Sequence, residues 1–236
     1  MLRALGPKVL AFTIVLLFMV PLTALAANWQ WSRHLEREAR NLKVASQSVE
    51  TFTNIETLSL ESSAIHEWKL VTVRGIYDVN GDVLWRRQSL RGAPGFMALA
   101  TFTTETGTTI VVNRGWVGAL GAEPDSATNL SLPSLQTEIT VRIRPMPEGE
   151  STDPGDIPTG QTNSPRTIRS NDLPGTLFEL VSPQVSNGPE LLTLPEPESG
   201  PHLGYVGQWI LIGIASIAVY VVVLRQLKRD YDASLN

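Results

Sequence analysis

The stretch VLAFTIVLLFMVPLTALAA, from Val9 to Ala27, decides the architecture, because it is apolar and carries no charged residue. A second uncharged stretch, LGYVGQWILIGIASIAVYVVVL, runs from Leu203 to Leu224. A helix needs about 20 apolar residues to cross the hydrocarbon layer of a bilayer, and both stretches have that length. The sequence therefore predicts two transmembrane helices, at 9–27 and 203–224, with a polar segment between them.

Cations flank the two stretches on the sides that face the chain ends: Arg3, Lys8, Arg225, Lys228 and Arg229. The positive-inside rule assigns such cations to the cytoplasmic side. We therefore expect cytoplasmic ends at 1–8 and 225–236 and an extracytoplasmic domain at 28–202. The residues before the first span do not resemble an Arg- and Ser-rich transit peptide, which favours the plasma membrane of a bacterium.

A cleaved signal peptide is the alternative interpretation of the first stretch. Ala24-Leu25-Ala26 fits the small-x-small rule for cleavage sites. The apolar region of a signal peptide is usually about 7–15 residues long, which is shorter than the stretch from Val9 to Ala27. The length therefore favours a retained span and a multi-pass membrane protein.

Composition narrows the range of functions. Five of the 19 Lys and Arg and two of the 23 Asp and Glu lie outside 28–202, so the central segment has a net charge of −7. An acidic domain disfavours nucleic acid as a partner, because phosphate binding needs a basic surface. The chain has no cysteine and three histidines, which excludes thiolate metal sites and disfavours a zinc site built by the protein.

The central segment is predicted to begin as a helix and to continue as strands. Leu35, Ala39 and Leu42 recur at helical spacing, which predicts a helical extension of the first span over 28–49. Alternating apolar residues predict strands at 69–77, 83–88, 96–102, 108–113 and 138–144, and short last strands at 176–181 and 191–194.

Turn signals complete the expected fold of this domain. Asn80-Gly81 is typical of a type I′ hairpin, so we expect 83–88 to return alongside 69–77. The segment 145–174 is rich in Pro, Gly, Ser and Thr and is predicted to be a long loop. The expected fold is a mainly antiparallel, barrel-like α+β domain between two transmembrane helices.

Four motifs, in this order along the chain, carry a family resemblance. The first is Trp29-Gln30-Trp31-Ser32-Arg33, which fits WQxxR. The others are VRGIY at 73–77 with LWRR at 84–87, GAPGF at 92–96 with VVNRGWV at 111–117, and PHLGY at 201–205 with Gln208-Trp209. Together they resemble the Surf1 proteins, also called the Shy1 family, over nearly the whole chain. One departure is IRSND at 168–172, which has the family's Asp but lacks its Trp.

Members of that family assist the assembly of haem-copper cytochrome c oxidase. The resemblance therefore implies a membrane-anchored assembly factor that aids insertion of haem a into oxidase subunit I, or stabilises that subunit. It implies haem a as a transient cofactor and subunit I, haem a synthase and the lipid bilayer as partners. It does not imply an enzyme, and the sequence contains no nucleophile-elbow, HExxH, Walker or GxGxxG motif.

The resemblance also implies a haem site at the outer membrane border. His202 matches the family's haem-linked histidine, and a neutral imidazole is a common axial ligand of haem iron. Trp29, Tyr205 and Trp209 would then stack on the porphyrin, and Arg33 would pair with a propionate. The alternative is membrane anchoring alone, by an aromatic belt and by an arginine that reaches the lipid headgroups.

The VVNRGWV motif has two open interpretations. As a structural element, Asn113 would order a turn, Arg114 would bind carbonyls or an Asp at a sheet corner, and Gly115 would adopt a conformation closed to other residues. As a functional element, Asn113 to Trp116 would dock on a partner. Two rival functions also remain open, namely an oxidase-binding structural protein without haem contact and an extracytoplasmic ligand-binding membrane protein.

Overall fold

The computed structural model describes residues 6–52, 55–58, 64–146, 159–168, 172–197 and 200–233. Arg3 and much of the predicted loop at 145–174 lie outside these ranges. The elements, in chain order, are α1 (Gly6–Gln47), β1 (Leu70–Leu90), β2 (Ala93–Thr104), β3 (Thr109–Leu120), β4 (Glu123–Pro124), β5 (Thr137–Pro145), β6 (Gln161–Thr162), β7 (Thr176–Ser182) and α2 (His202–Ala233).

The chain divides into two compact units. One consists of Met1–Lys43 and Glu196–Asn236, and the other of Val44–Pro195. The first contains most of α1 and all of α2, and the second contains the seven strands named above. We call them the helical unit and the strand unit.

In the helical unit, α1 and α2 are long and apolar enough to cross a membrane. None of the described residues of α2 is buried, and large apolar side chains such as Phe18 (73% exposed) and Leu211 (66% exposed) face outward. Exposing apolar surface to water costs about 25 cal/mol of free energy per Å². Contact of the same surface with lipid avoids this cost. The two helices are therefore suited to anchoring the protein in a membrane.

The two helices pair in an antiparallel arrangement. Thr13 Oγ1 lies 2.7 Å from the Tyr220 hydroxyl. Further along the pair, Thr23 packs closely on Gly213. A Cβ added to Gly213 would lie 2.9 Å from Thr23 Oγ1. At the far end, Gln30 contacts His202. Seventeen residues of α1 separate the first and last contacts, a rise of about 26 Å, which is close to the thickness of a hydrocarbon layer.

The strand unit is a closed barrel. β1 pairs with β2 on one side and β5 on the other, β5 pairs with β7, β7 with β3, and β3 with β2. All of these pairings are antiparallel except β3 with β7, which pair in parallel at Val112–Phe178 and Asn113–Glu179. The predicted mainly antiparallel, barrel-like domain between two apolar helices is thus confirmed.

Alternating residues of the strands fill the barrel. Phe102, Ile110, Val141, Ile143 and Phe178 are fully buried and form part of one apolar cluster. A second cluster lies on the opposite face of β2 and β3, where Met97, Leu99 and Val111 pack with Met146 and Leu177. Both faces of β2 are therefore covered, which explains why nearly every residue from 95 to 104 is buried.

The hairpin prediction at Asn80-Gly81 is wrong. Residues 70–90 form one strand, and both of its halves pair with β2, with an irregularity between Tyr77 and Asp82. Asn80 N–H donates to Asp78 Oδ1 (3.0 Å) within that bulge. A Cβ at Gly81 would collide with Thr101 Oγ1, so the glycine allows a close approach between strands.

The tight turn lies instead at Arg91-Gly92. Leu90 pairs with Ala93, and the two residues between them have φ of +50° and +82°. Two successive positive φ values are the signature of a type I′ turn. The predicted strand at 191–194 is also absent: this segment is irregular, and only the adjacent Glu190 forms a β-bridge, with Trp116.

Gly75 of β1 gives a test of the barrel packing. A Cβ at this position would overlap the carbonyl oxygen of Thr103, so Gly75→Ala must separate β1 from β2. We expect a loss of about 1–3 kcal/mol in the free energy of unfolding, the usual cost of overpacking. The measurement is denaturant unfolding of the detergent-solubilised protein, followed by near-UV circular dichroism.

Gly118→Ala is the matched control, because a Cβ at this strand glycine would meet Trp116 at 3.4 Å, an ordinary contact. Equal losses for the two variants would contradict the packing argument.

Candidate functional site

His202 is the first residue of α2, and it faces α1. Its Nδ1 lies 2.7 Å from Oε1 of Gln30, a residue 172 positions earlier in the chain. The imidazole is partly buried. Nε2 of the same ring has no hydrogen bond or ion pair with any residue in the described ranges. One nitrogen is therefore engaged within the helix pair, and the other is available to a ligand.

Trp29 and Arg33 contact each other on the surface of α1. The guanidinium carbon of Arg33 lies 5.8 Å from the centre of the Trp29 ring, as expected for residues one helical turn apart. Arg33 also forms a 2.8 Å ion pair with Glu36, and all three side chains are more than 40% exposed. Because both partners of this ion pair are exposed, a bound anion could compete for Arg33 at little cost.

Tyr205 and Trp209 lie on the same face of α2 as His202, since the three are spaced by three and four residues. Tyr205 is 45% exposed. Within the described part of the chain, no ring contact or side-chain hydrogen bond joins Tyr205 or Trp209 to Trp29 or Arg33. The structure thus connects His202 to Gln30 and Trp29 to Arg33, but it gives no direct contact between these two pairs.

His34 lies one turn beyond Gln30 on α1. Its ring centre is 5.6 Å from that of Trp31, and its Nε2 is 3.8 Å from a Glu38 carboxylate oxygen. No motif in the sequence assigns His34 a role. No group of three or more His, Cys, Asp or Glu suited to a metal ion occurs among the described residues.

The segment from Asn113 to Trp116, predicted as a turn after a strand, lies within β3, at an irregularity in its pairing with β2. Asn113 Oδ1 accepts a hydrogen bond from Gly115 N–H (3.0 Å), and Gly115 has φ of +126°. A Cβ on Gly115 would collide with the carbonyl of Glu190, which exchanges two 2.8 Å backbone hydrogen bonds with Trp116. Glycine is required here both by the backbone angle and by the close approach of the segment at 190.

Arg114 ties the barrel to an irregular segment. Its side chain is 3% exposed and donates to the carbonyls of Leu130 (2.8 Å) and Ser131 (2.9 Å). Burial lowers the pKa of Arg114, while the nearby Tyr77 and Asp82 act to raise it. Burial raises the pKa of Tyr77 to about 12, so this neighbour stays neutral at physiological pH.

A buried ion network in the strand unit was missed by the sequence analysis. Arg142 lies 3.4 Å and Arg144 lies 3.2 Å from the carboxylate of Glu179, and Arg144 also pairs with Glu67 (2.8 Å) and stacks on Trp68. Burial raises the pKa of Glu179, and the two arginines act against this shift. The sequence feature that could have indicated this network is the position of the two arginines, which alternate with the apolar residues Val141 and Ile143 of a predicted strand.

Asp172 also acts in the strand unit. Its carboxylate accepts a hydrogen bond from Thr109 N–H (2.7 Å), and its own N–H donates to the Thr109 carbonyl (2.9 Å). This pair of bonds fixes the start of β3. The Asp of the IRSND stretch therefore orders a strand end, while residues 169–171 lie outside the described ranges.

Comparison with known proteins gives one family. The model of the SURF1 family matches residues 17–214. Similar relatives include uncharacterized SURF1-like proteins of Mycobacterium bovis and Mycobacterium tuberculosis. Each is 28% identical over 226 residues, which cover 89% of this chain and 80% of the relative.

Replacing Arg114 tests whether its bonds hold the strand unit together. Arg114→Leu removes two charge-assisted hydrogen bonds and leaves two carbonyls without their donor. We expect a loss of about 3–6 kcal/mol in the free energy of unfolding, because each of the two bonds contributes about 1.5–3 kcal/mol. Urea unfolding monitored by tryptophan fluorescence measures it.

Arg74→Leu is the control, since its ion pair with Glu138 is solvent-exposed and contributes little. A loss for Arg114→Leu no larger than that of the control would refute the structural role.

Proposed function

Because the chain belongs to the SURF1 family, we propose that it is a membrane-anchored assembly factor for haem-copper cytochrome c oxidase. In this role it aids insertion of haem a into subunit I, or stabilises that subunit while haem enters. The chain is not an enzyme in this proposal. Its partners are subunit I, haem a synthase and the bilayer, and haem a is a transient cofactor.

The location follows from the two apolar helices and their flanking charges. Lys8 precedes the first span, and Arg225, Lys228 and Arg229 follow the second. By the positive-inside rule, both chain ends are cytoplasmic and the segment 28–202 is outside, in the plasma membrane of a bacterium. His202 then lies at the outer border of the membrane, where the second span begins.

The observation that carries the haem assignment is the state of His202. Its imidazole is held on one side by Gln30, and Nε2 is free, so His202 could supply a nitrogen ligand to the iron of haem. Trp29 and Tyr205 are about half exposed, so each offers an aromatic face to a flat ligand. Trp209 lies two turns below His202, and Arg33 offers a guanidinium for a propionate.

These features suit a group that is received and released. A tightly stored haem would be enclosed by apolar side chains, whereas the aromatic and cationic residues here are largely exposed. When bound, the haem would supply the iron that the oxidase needs. The chain itself would supply one nitrogen ligand, aromatic faces and a positive charge.

Asn113, Arg114, Gly115 and Trp116 have a structural role in this proposal. Asn113 and Arg114 are 3% exposed and bond within the strand unit, so they are not free to bind a partner.

A reduced-minus-oxidised spectrum of membranes tests the function. A strain without this protein should lose the haem a band and keep the haem b band. The wild-type gene should restore the haem a band, and His202→Ala should not. The measurement is made at equal levels of the protein, determined by immunoblot.

His66→Ala serves as the control, because His66 lies in the strand unit. It should restore the band as the wild type does. An unchanged haem a band in the deletion strain would sink the assembly proposal. Full restoration by His202→Ala would favour an oxidase-binding protein that does not contact haem.

A further inference from the structure

Gln30 is the second residue of the WQxxR motif. It lies on α1, and its side chain is the partner of His202 across the helix pair. A Gln–His contact of 2.7 Å is a short and direct hydrogen bond. Of the contacts between the two helices named above, it is the one that involves a possible metal ligand.

The chemistry of the two groups fixes the position of one proton. The atom of Gln30 that faces His202 is Oε1, which can only accept a hydrogen bond. Nδ1 of His202 must therefore carry the hydrogen. In a neutral imidazole only one nitrogen is protonated, so Nε2 then carries a lone pair.

We infer that Gln30 is a positioning residue that holds His202 in the Nδ1–H tautomer and so presents Nε2 as the atom that binds iron. The haem part rests on the proposed function. The tautomer part rests only on the contact between the two side chains. Metal-binding histidines usually donate their second N–H to an acceptor of this kind, which orients the ring and raises the basicity of the ligand.

The surroundings of His202 support a fixed ring. Tyr205 N–H donates to the Pro201 carbonyl (3.2 Å), which begins the first turn of α2. A Cβ at Gly200 would lie 3.2 Å from Cδ2 of His202 and 3.0 Å from a nitrogen of Arg37. The imidazole is thus bounded by Gln30 on one side and by the turn before α2 on another.

The direct test is ¹⁵N NMR of the haem-free, full-length protein in lipid nanodiscs, with labelled histidine. The chain has three histidines, so His202→Ala identifies the signals of interest. In the wild type we expect Nδ1 of His202 protonated and Nε2 unprotonated. In Gln30→Leu we expect the proton to move mainly to Nε2. Gln30→Glu, which keeps an acceptor oxygen, should restore the Nδ1–H form.

Ser32→Ala is the matched control on α1, because the Ser32 hydroxyl donates to Asn28 within the same helix. It should leave the His202 signals unchanged. Protonation of Nε2 in the wild type would overturn the inference, since it would mean that the amide group of Gln30 is the donor. A tautomer that is the same in wild type and Gln30→Leu would overturn it as well.

Titration with haem gives the second readout. Gln30→Leu should bind haem about 10–100-fold more weakly than the wild type, the usual effect of removing a partner of a metal-binding histidine. Gln30→Glu should restore binding and lower the reduction potential of the iron, because a carboxylate makes the imidazole a stronger donor. Binding by Gln30→Leu equal to that of the wild type would contradict the positioning role.

The NMR experiment and the haem titration distinguish a wrong role for Gln30 from a wrong proposed function. If the wild-type protein takes up no haem, the haem part of the proposed function is wrong, and the NMR result still decides whether Gln30 sets the tautomer. If haem binds and His202→Ala abolishes binding, an unaltered tautomer in Gln30→Leu would overturn the role of Gln30 alone.

Discussion

The rest of the helical unit depends on the antiparallel pairing of two apolar helices from opposite ends of the chain. Two side-chain hydrogen bonds, Thr13 with Tyr220 and Gln30 with His202, and the close approach of Thr23 to Gly213 define their register. Lipid gives no hydrophobic drive for such pairing, so close packing at a small residue and polar contacts must supply it. The register determines which residue of α1 meets His202, and the chemistry of the candidate site follows from that.

The strand unit uses a different principle, because its apolar surface is hidden inside a closed ring. Closure leaves no long free edge on β1, β2, β3, β5 or β7. Its polar residues then serve to hold irregular segments against the ring. Arg114 binds the carbonyls of Leu130 and Ser131, and Asp172 fixes the start of β3. Of the segment 113–116, for which the sequence left a docking role and a structural role open, Asn113 and Arg114 are buried in the strand unit.

Much of the fold could be predicted from the sequence, because apolar periodicity reports directly on burial. The alternation of Ile139, Val141 and Ile143 located β5, and the uncharged stretches located both long helices. The hairpin predicted at Asn80-Gly81 is absent, because the preference of these two residues for a turn is overridden by the pairing of both halves of β1 with β2. The contact of Gln30 with His202 and the burial of Arg142 could not be predicted, because each depends on a partner distant in sequence.

The position of β7 has a consequence for the biogenesis of the protein. β7 is the last strand among the described residues, yet it lies between β5 and β3 and supplies the parallel contact that closes the ring. During synthesis, β3 and β5 emerge before residues 176–182. Until those residues emerge, the edges of β3 and β5 that pair with β7 have no partner strand. The nascent chain is therefore prone to mispairing until three quarters of it has left the ribosome, and holding it in that interval is a task for chaperones.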